Sequence, residues 1–202
     1  LHKEYRRQRQ MCIRDRQYSM LKGLTSRINA LRKISKVASF KNRKMLANGI
    51  VMSKLCYLIQ LWGGSSGFLL NILQKLQNRA ARLVTKQGWY TPIPILLSQC
   101  GWLSVRQLIV YHTLCQVFKT RSSKMPIYFH EKFSKEYKQK TRLVAENCIR
   151  HEKILHSELA INSFTNRSVQ QWNELPSNIK NSSTLAQFKS SLKEWIKSNI
   201  DH

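Results

Sequence analysis

Apolar residues recur at spacings of three and four along most of the first 120 residues of this chain. That spacing places them on one face of an α-helix, whereas a half-buried strand would alternate residue by residue. No strictly alternating run stands out. The pattern predicts five helices, which lie at about Tyr18–Val37, Lys41–Leu61, Phe68–Lys86, Ile95–Cys100 and Ser104–Thr120.

The second half of the chain is less regular. Residues 121–162 are more polar, which indicates a linker or irregular region, with a small β element near 142–155 as the alternative. Two apolar stretches follow residues suited to cap a helix, namely Ser163, Thr165, Ser183 and Thr184. The expected fold class is all-α, with a helical domain over 17–120 and a helical C-terminal region over 163–202.

Charge narrows the choice of partner. The 202 residues include 35 Lys and Arg against 10 Asp and Glu, a formal net charge of +25. Because the acids are too few to pair with the cations, we expect a polyanionic partner, with RNA or DNA favoured over an anionic membrane surface. The longest apolar run, Leu55–Trp62, is shorter than the roughly 20 residues that cross a bilayer, so no membrane span is predicted.

The predicted third helix carries the main candidate site. Lys75, Arg79, Arg82 and Lys86 share one helix face at spacings of four, three and four. Cations in such a row can neutralise phosphates without reading bases. A second set follows the first two helices and comprises Arg27, Arg32, Lys33, Lys36, Lys41, Arg43 and Lys44. A solvated helix face is the plainer interpretation of each residue alone, and the scarcity of acids weakens it for the set.

The aromatic residues divide into two groups. Four tryptophans fall on or beside apolar stripes and are expected in the core, namely Trp62, Trp102, Trp172 and Trp195. Trp89 and Tyr90 instead lie in a turn rich in Gly and Pro beside the basic third helix. Stacking on a base is one interpretation of this pair, and packing of the turn over the helices is the favoured one.

No catalytic centre is predicted. Nucleotide polymerisation requires a cluster of carboxylates that holds two divalent metal ions. The only aspartates are Asp15 and Asp201, and the eight glutamates are dispersed. We therefore expect neither a catalytic residue nor a cofactor within this chain.

Cysteine and histidine give at most a weak metal motif. Cys148, His151 and His156 have zinc-ligand spacing but lack a fourth ligand nearby. Ordinary polar surface is the favoured interpretation. Cys56, Cys100 and Cys115 lie in apolar helical stretches and are expected to be buried thiols in a reducing compartment.

The N-terminal segment has an unusual sequence. Residues 6–16 read RRQRQMCIRDR, the translation of a transposase-based sequencing-library adapter. Residues 1–16 are accordingly interpreted as non-native, with Gln17 as the first native residue. A genuine basic arm that contacts phosphates is the alternative.

Several motifs together resemble one protein family. They are LWGG at 61–64, LQNRAARLVT at 76–85, GWYTP at 88–92, CGWLSVRQL at 100–108 and WNELP at 172–176. In this order they resemble the region that follows the polymerase palm in reverse transcriptases of non-LTR (LINE-type, jockey- or CR1-like) retrotransposons. The resemblance covers roughly residues 17–200.

The resemblance implies a role in a larger enzyme. It implies that residues 17–120 are a thumb-like bundle that grips the template–primer, and that 163–202 belong to a C-terminal region that helps to bind the element's RNA or target DNA. The parent would be an RNA-directed DNA polymerase inside the cell, nuclear or cytoplasmic in a ribonucleoprotein, with divalent metal only in the missing palm. An inert, degenerate fragment that merely packs against that palm is the alternative.

Overall fold

The computed structural model of the chain describes residues 2–57, 59–122, 133, 148–150 and 163–200, with side chains described from Tyr18 onwards and Leu61 excepted. The described part is all-α, as predicted, and contains helices without a strand. The predicted β element and most of the predicted linker lie outside the described residues. Two compact units are present, of which unit 1 comprises residues 1–57 and 66–105 and unit 2 comprises 58–65 and 106–202. The domain boundaries drawn from the sequence stay a prediction.

Unit 1 is built around an aliphatic core. The first helix buries Leu24, Ile28 and Leu31 on one face and contacts both the second helix and the long helix that carries the predicted site. Its helices are α1 (His2–Ser35), α2 (Phe40–Ala47), α3 (Ser53–Cys56), α5 (Gly67–Thr85) and α6 (Ile93–Cys100).

The predicted helix Lys41–Leu61 is not continuous. It begins as α2, capped by the Ser39 side chain, widens into a π-helical turn over Asn48–Met52, continues as α3 and ends at Tyr57, whose ψ is 117°. Groups from outside the helix bind at the π-helical turn. The Trp102 Nε1 donates to the Asn48 side chain over 2.8 Å, and the Arg27 guanidinium donates to the Ile50 carbonyl over 2.9 Å. Insertion of such groups is a known cause of local helix distortion.

Unit 2 has an aromatic core. Phe118 and Phe188 stack with ring centroids 4.3 Å apart, and Trp172 lies 6.0 Å from Phe188. Phe133 and Phe164 meet edge to face. The helices of this unit are α4 (Ile59–Trp62), α7 (Val105–Arg121, of which Val105 belongs to unit 1), α8 (Phe164–Asn173), α9 (Ser177–Lys180) and α10 (Leu185–Asn199).

Side-chain caps begin the last helices where the sequence predicts them. The Ser163 hydroxyl accepts from the Asn166 N–H at the start of α8, and the Thr184 hydroxyl accepts from the Gln187 N–H at the start of α10. These bonds satisfy donors that the first helical turn leaves without partners. The predicted positions of both helices are therefore confirmed.

Candidate nucleic-acid interface

Helix α5 has a buried side and a basic side. Its buried residues are Leu69, Leu73, Gln77, Ala80, Ala81 and Val84. Each residue turns the helix by about 100°, so Lys75, Arg79 and Arg82 fall on the side opposite to this stripe. Lys75 and Arg79 are exposed, and Arg82 is half-buried. The predicted row of cations thus lies on the side of α5 that faces away from the core of unit 1.

Two glutamines fix α5 against the segment that follows α6. The Nε2 of buried Gln77 donates to the Leu103 carbonyl over 2.7 Å. The Gln74 Oε1 accepts from the Val105 N–H, also over 2.7 Å. Because a buried amide left without a partner would destabilise the fold, these bonds set the rotation of α5 about its own axis. That rotation keeps the cations on the outside.

Lys86 ends α5 in the left-handed conformation, with φ 58° and ψ 23°. Its N–H donates to the Arg82 carbonyl over 2.8 Å. Glycine adopts this conformation readily, whereas other L residues are disfavoured by roughly 1–2 kcal/mol. Backbone preference therefore does not explain a lysine here. Its exposed side chain extends the row of cations beyond the last helical turn.

Arg82 connects the basic helix to the turn that follows. Its guanidinium carbon lies 4.7 Å from the centroid of the Trp89 ring, and its Nη2 donates to the Trp89 carbonyl over 3.3 Å. The Arg82 Nε is buried and has no hydrogen-bond partner within the described residues. This arginine therefore holds the turn in place in addition to carrying charge.

The aromatic pair in that turn does not pack over the helices. Trp89 is 78% exposed and Tyr90 is 97% exposed. The favoured interpretation from sequence, in which this turn packs on unit 1, is wrong for both side chains. The turn is held instead from below, by Arg82 and by the bond from the Thr91 N–H to the Gly88 carbonyl.

The second set of cations is split between surface and interior. Arg32, Lys33 and Lys36 are exposed at the C-terminal end of α1, where cations also stabilise the helix dipole. Arg27 is exposed as well, but it binds the Ile50 carbonyl. On α2, Lys41 is exposed and Lys44 is half-buried.

Arg43 is placed inside unit 1. It is 6% exposed, and its Nε donates to the Val84 carbonyl over 2.8 Å while its Nη1 donates to the Ala38 carbonyl over 2.6 Å. These bonds tie the start of α2 to the end of α5. We therefore leave Arg43 out of the surface proposed below.

One signal in the sequence is stronger than composition suggests. No Asp or Glu occurs between Asp15 and Glu131, whereas residues 17–105 alone carry thirteen Lys and Arg. No cation of that segment can therefore pair with an acid of the same segment. The overall ratio of bases to acids hides this distribution, because eight of the ten acids lie at Glu131 or beyond.

The thiols of the described residues are poor nucleophiles. Burial raises the pKa of Cys56, Cys100 and Cys115 to about 11 in each case. The suggested zinc ligands His151 and His156 lie outside the described residues, and Cys148 is half-buried. Among the residues that the structure does describe, no cluster of three potential metal ligands occurs.

Comparison with known proteins finds no match among family models, curated proteins or solved structures. Within the described ranges, no single helix is long and apolar enough to cross a membrane. The bent pair formed by α6 and α7 meets that requirement only when the two are taken together, by length and composition.

Proposed function

We propose that this chain is the thumb and post-polymerase region of a non-LTR retrotransposon reverse transcriptase, and that it binds RNA or DNA through α5. The ordered motifs described above support the first part. The second rests on one observation, an exposed row of cations on a segment without a carboxylate. We name the exposed cations Lys75, Arg79 and Lys86 the α5 stripe.

The dimensions of the α5 stripe suit a phosphate backbone. Eleven residues separate its ends, which corresponds to about 16 Å along a helix axis. Several successive phosphates of one strand fit within that length, since they repeat about every 3.4 Å along a duplex. Each neutralised phosphate releases counterions and adds affinity that does not depend on base sequence. The stripe therefore favours binding to template–primer or element RNA without base recognition.

One observation favours the alternative of an inert fragment. Val37, Met45 and Tyr57 are large apolar side chains of unit 1 that are exposed to solvent. Surfaces of this kind are covered in many proteins by another domain, which here would be the palm. Strong binding of a hydrophobic dye to the purified chain, together with no measurable binding to nucleic acid, would favour this alternative.

Salt dependence tests the α5 stripe. In the test variant Lys75, Arg79 and Lys86 are all changed to Gln, while Arg82 is kept because it holds the turn. Binding of a labelled RNA–DNA hybrid is measured by fluorescence anisotropy across a range of salt concentrations. We expect the slope of log K against log salt to flatten by up to about 2.7, since each lost phosphate contact accounts for about 0.9.

A matched control separates local contacts from net charge. Lys189, Lys193 and Lys197 follow one another at spacings of four on α10 of unit 2. Changing these three to Gln removes the same charge from a different helix. An equal flattening in both variants, or an unchanged slope in the α5 variant, would refute the assignment of the interface to α5.

A further inference from the structure

The turn after α5 presents two adjacent aromatic side chains beside cations. Trp89 and Tyr90 are mostly exposed, as given above, and Lys86 and Arg82 precede them by three to eight residues. Exposure of one large apolar residue is ordinary, and Phe68 at the other end of α5 is 77% exposed. Phe68, however, has no cation stacked on its ring within the described residues. The pair in the turn therefore differs from Phe68 by its neighbours, whereas its exposure is similar.

Arg82 holds the indole ring in place. A guanidinium above the ring centroid covers one face, and the bond to the Trp89 carbonyl fixes the backbone from the same side. The opposite face of the indole stays open, in agreement with its large exposed fraction. A ring that is already ordered loses little conformational freedom when a planar group stacks on it.

We propose that Trp89 and Tyr90 form a stacking platform for unpaired bases of a nucleic-acid strand. This inference rests on the proposed function, because the strand reaches the platform when its phosphates lie along the α5 stripe. Aromatic side chains interleaved with cations bind single strands in this way, with the bases on the rings and the phosphates on the cations.

The chemistry selects unpaired bases over a closed duplex. Within a duplex both faces of each base are covered by the neighbouring pairs, so a protein ring has no base face to contact. A single strand or an overhang leaves these faces accessible. The platform should therefore add affinity for single-stranded segments while the α5 stripe contributes to binding of both forms.

The test compares strands with and without bases. One probe is a labelled single-stranded oligonucleotide, and the other is an abasic oligonucleotide of the same length and charge. The double variant Trp89→Ala, Tyr90→Ala should bind the base-containing probe about 10- to 100-fold more weakly than the unchanged chain. Its affinity for the abasic probe should change by less than about twofold, because the phosphate contacts remain.

Two further variants make the result specific. Trp89→Phe, Tyr90→Phe keeps the aromatic faces and should retain most of the affinity for the base-containing probe. Phe68→Ala removes an equally exposed ring from the same helix and should leave both probes unaffected. Since all three positions are exposed, each variant should unfold at the same urea concentration as the unchanged chain.

The outcomes separate this inference from the proposed function. An equal loss on both probes in the double Ala variant, or an equal loss in Phe68→Ala, would refute stacking while leaving phosphate binding intact. If the unchanged chain binds neither probe and no duplex, the proposed function fails and the platform fails with it. A base-dependent loss confined to the double Ala variant would establish the platform.

Discussion

The two units of this protein place their aromatic residues on opposite sides. In unit 2, Phe118, Trp172 and Phe188 are buried and stack on one another. In unit 1, Trp89 and Tyr90 are exposed while the core is aliphatic. Rings that are buried stabilise a fold, whereas rings held at the surface beside cations are available to a ligand. The same residue type therefore indicates structure in one unit and interaction in the other.

Cations follow the same division. On α5 of unit 1, Lys75 and Arg79 stand in solvent. In unit 2, the Arg167 guanidinium donates to the Gln60 carbonyl and buried Lys180 donates to the Asn173 carbonyl. Burial lowers the pKa of both side chains, most strongly through loss of hydration. A net charge of +25 is thus partly spent inside the protein, and only the exposed cations can act on a partner.

Truncating the aromatic core should give the largest effect. Phe188→Ala removes a fully buried ring that contacts two others, so we expect a loss of about 3–5 kcal/mol in the free energy of unfolding. Urea denaturation followed by circular dichroism measures this change. Phe68→Ala in unit 1 is the matched control and should change stability by less than about 0.5 kcal/mol. Similar losses in the two variants would break the comparison between buried and exposed rings.

Replacing the left-handed lysine should have a smaller effect of the opposite sign. Lys86→Gly removes a residue that is strained at φ 58°, so the free energy of unfolding should rise by roughly 0.5–1 kcal/mol. The same change should weaken binding to a nucleic-acid duplex, because one cation of the α5 stripe is lost. Stability is measured in urea and binding by anisotropy.

Lys86→Gln separates strain from charge. It keeps a side chain in the left-handed conformation but removes the ammonium group, so it should weaken binding without raising stability. If Lys86→Gly instead gains stability and binds duplex as tightly as the unchanged chain, Lys86 does not belong to the interface. Unit 1 would then carry at least one surface cation that has no role in binding.

The sequence predicts α5 better than any other element of unit 1. Its apolar stripe is long and regular, so the predicted range Phe68–Lys86 agrees with the observed Gly67–Thr85 and its cap at Lys86. The break in the predicted helix over 41–61 was not predictable from local sequence. It coincides with bonds from Trp102 and Arg27, which lie 54 and 23 residues away from their partners.

Arg43 shows a signal that the sequence did contain. Arg43, Ala47, Val51 and Leu55 are spaced by four, and all four are buried. Grouping Arg43 with Lys41 and Lys44 by charge alone hid that it continues an apolar stripe. For Trp89 and Tyr90 no comparable pattern exists, because a turn has no period from which exposure can be inferred. Only the bond and ring contact from Arg82 reveal how that turn is held.

The smallest expected effect concerns a titrating group inside unit 2. Burial lowers the pKa of His112 below its usual 6.5, and the nearby cations Lys119 and Lys189 lower it further. In the unfolded chain the imidazole regains the usual pKa, so the unfolded state binds more protons between the two values. Stability should therefore fall as the pH drops from about 7 through 6.5, and level off below the folded pKa.

A non-titrating variant isolates this contribution from the other histidines. The free energy of unfolding of the unchanged chain and of His112→Gln is measured in urea at about pH 7.5 and about pH 5.5. The unchanged chain should lose more stability on acidification than the variant does, because only the former must bury a proton-binding site beside two cations. An equal loss would mean that His112 is hydrated in solution. The interior of unit 2 would then be less closed to water than its stacked rings indicate, and the contrast between the units would weaken accordingly.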